Sequence, residues 1–411
     1  MRRLLLLLVL LSFVTGATAA RRQTARKPAP KPAAKPAPKP TPKPTPPAEK
    51  PMNLRLLLPA EIPAVPGREV NLYYDNVILH PRSDLFIYDV DCPKGMQQQE
   101  RYTWTPKPEE VGLFPLTLKI SDLNGKLLAE GTTNIHVYPL DAGAGKAVSA
   151  LIIGDSLTGA SVYPDEIYNL MQQPGNPQFT MIGNVIPNKD KPGAKHEGYG
   201  GWRAATFVSQ WGPEPVVNGR RARSPFLYEK EGKPVLDFKQ YLAEQNAGQA
   251  PDFITILLGC NDNFGAKDDT IEASIDDFLR NMDILIAEFH KVRPDTKIGV
   301  VSLMPGAATQ DAFGANYGCG QTRWQYKKNQ HRVMERVVAK YGNREAENIY
   351  LVPAYVSLDA VNNYPKAKGP ANARGDATDF SRLCNGVHPA ASGYKQLADG
   401  IYCWMKGQLS K

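Results

Sequence analysis

The sequence predicts an α/β protein: a three-layer arrangement of a parallel sheet between two layers of helices, preceded by a small all-β sandwich. Three observations predict it. From about residue 147 onward, near-continuous apolar runs alternate with amphipathic stretches of helical length. Over residues 52–140, shorter runs rich in β-branched and aromatic residues are separated by turns. Between residues 21 and 51 proline falls at nearly every second position, which removes backbone donors and leaves nothing to build a core.

The chain opens with Met1-Arg2-Arg3, a leucine-rich apolar run and the small-residue pattern Ala17-Thr18-Ala19. This is the form of a cleavable export signal over residues 1–20, and the apolar run is too short for a membrane span. The protein is therefore expected to be exported, to a periplasmic or extracellular space. Residues 21–51 follow as a polyproline-type stalk. Residues 1–50 hold eleven Lys and Arg against the single acid Glu49, more than the whole chain's excess of +8, so the rest is slightly acidic. The basic character thus belongs to a tail. It gives no hint of nucleic-acid binding. The stalk's lysines suit contact with anionic envelope polymers, and the same composition also serves as a solvated spacer.

Residues 52–140 contain NLYYDNVIL, DLFIYDV, RYTWT, FPLTLKISD and TTNIHVYP, several with period-two alternation, and Asn124-Gly125 marks a hairpin. An immunoglobulin-like sandwich fits this pattern, as a spacer or a glycan-binding module. Five cysteines, at 92, 260, 319, 384 and 403, allow at most two bridges in an exported chain. Cys319 and Cys384 flank the motifs described below and form the expected pair.

Beyond residue 147 the strand-like runs are AVSALIIGDS, FTMIGNV, DFITILLG, KIGVVSLMP and NIYLVPAYV, with helices expected near 164–173, 271–292, 323–341 and 390–409. In such sheets function gathers beyond the carboxyl ends of the strands. Four motifs fall there. Gly154-Asp155-Ser156-Leu157-Thr158 follows the first run, and His196-Glu197-Gly198-Tyr199-Gly200-Gly201-Trp202 comes later. Leu258-Gly259-Cys260-Asn261-Asp262 follows the third run, and Asn385-Gly386-Val387-His388-Pro389 leads into the last helix. A lone Gly-Asp-Ser is an ordinary turn. The order Ser, Gly, Asn, His along alternating strands and helices is not.

These four blocks, over about residues 147–409, resemble those of the SGNH/GDSL hydrolases. The resemblance implies a flavodoxin-like fold and a serine esterase, with Ser156 as nucleophile and His388 as general base. It implies an oxyanion hole made by the Ser156 N–H, the Gly201 N–H and the Asn261 side-chain amide. The chemistry suits those residues: serine needs a base near neutral pH, and donors aimed at the developing oxyanion contribute about 2.7–4 kcal/mol each. One position departs from the family, which has aspartate three residues before the histidine; here Asn385 stands there. Asn385 orienting His388, a backbone carbonyl doing so, or Asp376 or Asp379 replacing the aspartate all stay open. Trp202, Arg203, Asn263 and Phe264 are adjacent candidates for contact with substrate, and packing serves equally well for each. No cofactor is implied, and no cluster has metal-ligand spacing.

The HEGxGGW form of the second block resembles members that deacetylate polysaccharides, so a carbohydrate O-acetylesterase acting on an acylated small molecule or polysaccharide is expected. A lipase, lysophospholipase or thioesterase, or a non-catalytic glycan-binding envelope protein, are the competing readings.

Overall fold

The computed structural model describes residues 54–375 and 380–411. The signal and stalk segments, and the acids Asp376 and Asp379, lie outside the described residues. Residues 51–411 form one compact unit.

The central sheet has six parallel strands: β1 (Ala147–Gly154), β2 (Gln178–Ile182), β3 (Phe253–Leu257), β4 (Lys297–Val301), β5 (Ile349–Val352) and the two-residue strand Glu197–Gly198 beside the end of β1. The five longer ones set its order. Their spatial order is 2-1-3-4-5, with Ala147 opposite Gln178, Leu257 opposite Gly154 and Val301 opposite Val352. β3 is buried along its whole length, which is why its sequence shows no alternation. Between β1 and β3 the chain reverses its direction of travel across the sheet. That switch point opens a crevice at the carboxyl ends of two neighbouring strands, where flavodoxin-like sheets hold their ligands.

Helices cover the sheet. α1 (Val162–Met171) packs against the C-terminal α4 (Ala391–Leu409), while the long α2 (Ile271–Val292) packs against α3 (Arg323–Tyr341). The buried residues of α2, among them Ile275, Phe278, Leu279, Met282, Leu285, Ile286 and Phe289, recur three and four apart and so form one stripe. Trp404 of α4 meets Phe253 of β3, and it leaves no room for a side chain at Gly299 of β4.

Residues 61–137 form two small sheets. One orders its strands Glu61–Ala64, Leu127–Val137, Gly112–Ser121 and Ile87–Asp91; in the other, Arg101–Trp104 lies between Val70–Tyr73 and Met96–Gln97. The hairpin turn at Asn124-Gly125 is closed by Asp122, whose carboxylate accepts the N–H groups of Asn124 and Lys126. Apolar residues of these sheets belong to one hydrophobic cluster with those of the central sheet. Polar ties add to it. Asn76 donates to the carbonyls of Tyr355 and Leu358, at 2.9 and 2.8 Å. Asp75 takes Lys327 at 2.6 Å and Arg323 at 3.1 Å.

All five cysteines are free thiols, so the expected Cys319–Cys384 bridge is not formed. Cys319 sits exposed past the end of the helix Gln310–Tyr317, whereas Cys384 is tied through its N–H to the Pro365 carbonyl. Burial pushes the Cys260 thiol up to about 12.

Burial alone would raise the Asp75 carboxyl, but Lys327 and Arg323 outweigh it and hold the group below its ordinary value. Its contribution to stability is thus present above the ordinary carboxylate pKa and fades as pH falls through the lowered folded value. Asp75→Ala should cost about 1.5–3 kcal/mol, because it strands Lys327 against the interface. Urea unfolding at pH 7 would read this as a lower midpoint, with a smaller wild-type–variant gap at pH 3.

Candidate active site

Asp155 follows β1 and caps the short helix Ser156–Gly159 by accepting the Leu157 N–H at 2.9 Å. The sharp turn lifts Ser156 above the sheet. His388 approaches from the loop before α4, and its Nε2 lies 2.8 Å from Ser156 Oγ. A hydroxyl and an imidazole in this contact can pass a proton, which is the first requirement of an activated serine. Burial lowers the His388 pKa, so the ring is neutral at neutral pH and free to accept that proton.

The second block lies directly on this turn. Glu197-Gly198 pairs in parallel with Ile153-Gly154, and the Tyr199 N–H donates to the Gly154 carbonyl at 3.1 Å. Gly201 has φ +79°, a conformation that favours glycine. Among the described residues, neither the Gly201 N–H nor the Ser156 N–H has an acceptor. Both are therefore available to a substrate oxygen. Asn261 starts the turn after β3, as the third motif requires. Its amide nitrogen lies 3.1 Å from Asp155 Oδ2 and 3.0 Å from the Trp202 carbonyl, so both amide hydrogens already have acceptors. Serving an oxyanion requires one of those bonds to be exchanged. Burial, helped by Asp262, pushes the Asp155 carboxyl up to about 7 despite the opposing Leu157 hydrogen bond. Protonation there weakens its hold on the amide.

Asn385 does not reach the imidazole. Its side-chain oxygen accepts the backbone N–H groups of Val387 and His388, at 3.1 and 2.9 Å. It therefore shapes the loop that carries the base. Among the described residues, nothing accepts from His388 Nδ1; Asp376 and Asp379 are not among them.

A cleft of about 680 Å³ opens over Ser156, lined also by Gly159, Gly200, Trp202, Arg220 and Arg221. That is an ordinary size for a small-molecule site. Trp202 is thus in place, packed on Tyr199 and Phe207. Arg203 is exposed and does not line the cleft. Asn263 is fully buried and donates to the Gly259 carbonyl at 2.9 Å, so it closes the turn after β3 and does not line the cleft. Phe264 packs on Tyr317 and Tyr326. Arg220 and Arg221 were missed by motif reading. The signal that could have found them is Asn218-Gly219, a two-residue hairpin turn with both φ positive, directly before the arginines.

A family model for GDSL-like lipases and acylhydrolases matches residues 151–401, more than half of the chain. The chain belongs to this family. The match spans all the catalytic blocks from β1 to α4. A search of curated proteins finds no match. Among solved structures, this GDSL hydrolase is similar to a family 3 carbohydrate esterase of Clostridium thermocellum, with 17% identity over 65% of this chain and 100% of that one, at a TM-score of 0.40. It is also similar to the acetyl xylan esterase AlAXEase, with 13% identity over 62% and 98% of the two chains and a TM-score of 0.34.

Two measurements test this geometry. The pH profile of kcat/KM should show an acid limb with its midpoint below the ordinary imidazole value of about 6.5, since the base must be unprotonated and burial favours that form. Asn385→Ala should lower kcat several-fold and stability by about 1 kcal/mol while leaving that midpoint in place. Asn385→Asp, which keeps an oxygen for both N–H groups, should restore most of the loss. A moved midpoint would instead put Asn385 on the ring.

Proposed function

We propose that this GDSL hydrolase is an exported carbohydrate O-acetylesterase working through an acyl-enzyme. The observation that carries the reading is the lining of the cleft over Ser156. Glycines, Ala160, Tyr199, Trp202 and two arginines line it, with no aliphatic side chain longer than alanine. Such walls suit a short acyl group and a hydroxyl-rich alcohol, and provide no groove for a long acyl chain.

Ser156 Oγ attacks the ester carbonyl as His388 Nε2 takes its proton. The N–H groups of Ser156 and Gly201 receive the oxyanion, joined by the Asn261 amide once it releases Asp155 or Trp202. His388 then protonates the departing sugar hydroxyl, and a water deprotonated by the same ring frees acetate. The signal-like pattern of residues 1–20 supports the export part of this reading.

Purified protein should cleave acetyl p-nitrophenyl ester faster than butyryl, and octanoyl least, with all three rates lost in Ser156→Ala. Rates that rise with chain length would move the substrate to lipids. Hydrolysis that survives Ser156→Ala would remove the acyl-enzyme.

A further inference from the structure

Among the described residues most arginines are paired with acids: Arg101, Arg293, Arg323, Arg332, Arg336 and Arg344, for example, each meet a carboxylate. Arg220 and Arg221 do not. Among the described residues neither has an ion-pair partner, yet both line the cleft of the nucleophile.

Their placement is built. The strands Val216–Val217 and Arg220–Arg221 pair antiparallel, and Asn218 and Gly219, at φ 50° and 74°, turn the chain between them. Arg221 donates from Nε to the Arg223 carbonyl at 2.8 Å and lies over the Tyr199 ring, 5.9 Å from its centroid. Arg223 in turn donates to the Gly212 carbonyl at 2.8 Å and covers Trp211 at 3.9 Å. The acid nearest Arg221 in effect is the buried Glu197. That carboxylate is already occupied, by the Asn184 N–H and amide, the Tyr241 hydroxyl and the Tyr199 hydroxyl. Arg220 is exposed at the cleft mouth. No acid lines the cleft with them.

We propose that Arg220 and Arg221 bind a carboxylate on the alcohol part of the substrate, making the preferred ester an O-acetylated acidic sugar. The proposal rests on the acetylesterase reading and narrows it. A guanidinium presents two parallel N–H donors that fit a carboxylate, and a pair with no acid beside it in the cleft attracts anions while leaving neutral sugars unaided. The carboxylate can be the ring acid of a uronate or the lactyl acid of a muramic-type amino sugar.

The test compares kcat/KM for an O-acetylated methyl galactopyranosiduronate with that for its carboxyl methyl ester, which is neutral and otherwise alike. The acid should be favoured about tenfold or more, mostly through KM, with the preference shrinking as salt rises. In Arg220→Gln, a change at an exposed turn, and in the double variant Arg220→Gln/Arg221→Gln, the ratio should fall toward one. O-acetylated N-acetylmuramic acid run alongside distinguishes a lactyl from a ring carboxylate. Equal rates for acid and methyl ester with both sugars, or a preference unchanged in the double variant, would overturn the proposal. Failure of wild type on every acetyl sugar, with octanoyl esters cleaved well, would instead overturn the acetylesterase reading beneath it.

Discussion

Gly198 has no room for a side chain: a Cβ there would meet Gly159 N and Thr158 Cβ at 2.6 Å. Two stretches of backbone, the nucleophile turn and the second block, therefore touch directly, and the active site is assembled on that contact. It sets the second block, which carries Gly201, directly against the turn that carries Ser156. It also places buried His196 against the turn, where its Nε2 lies 2.9 Å from Ser161 Oγ while its Nδ1 accepts the Gly198 N–H at 3.0 Å. With Nδ1 accepting, Nε2 carries the hydrogen and donates. This second Ser–His pair is a fastener, and the direction of its hydrogen bond keeps it from acting as a base.

The third block knits onto the same contact. Asn261 spans Asp155 and Trp202, and Asp262 accepts the Ala204 N–H at 3.0 Å, capping the helix that follows the second block. Burial is the leading influence on Asp155 and Asp262, raising them to about 7 and about 6, and it raises Glu197 also. The residues packed behind the nucleophile turn thus include carboxyl groups that resist ionisation, while Arg220 and Arg221 stand on the cleft wall with no acid beside them. Beneath His388, burial keeps the ring neutral without any acid among the described residues to oppose it.

Much of the fold was legible because buried parallel strands need continuous apolar runs and surface helices need a stripe. The runs at 147–154, 253–257, 297–301 and 349–352, and the helices at 271–292 and 323–341, announce themselves this way. Ser156, Gly201, Asn261 and His388 were legible as motif members because turns after such strands have few alternatives. Asn263 misled because adjacency in sequence says nothing about which side of a tight turn a side chain leaves. Cys319 and Cys384 misled similarly, since flanking a motif does not bring two sulfurs together. The arginine hairpin was passed over because it lies between elements, with no periodicity to mark it.

The sequence by itself determined that a strand–helix alternation would carry a serine, a glycine, an asparagine and a histidine to one edge of a parallel sheet. Local physics suffices for that, since burial pattern sets strand and helix, and the turns at strand ends set which residues emerge. Only the tertiary structure decided what each residue does there. It spent Asn385 on backbone N–H groups, engaged both amide hydrogens of Asn261, buried Asn263 and swung Arg220 and Arg221 over the nucleophile. Those outcomes depend on distances between segments far apart in the chain, to which hydrogen-bonding capacity and charge, read residue by residue, are blind.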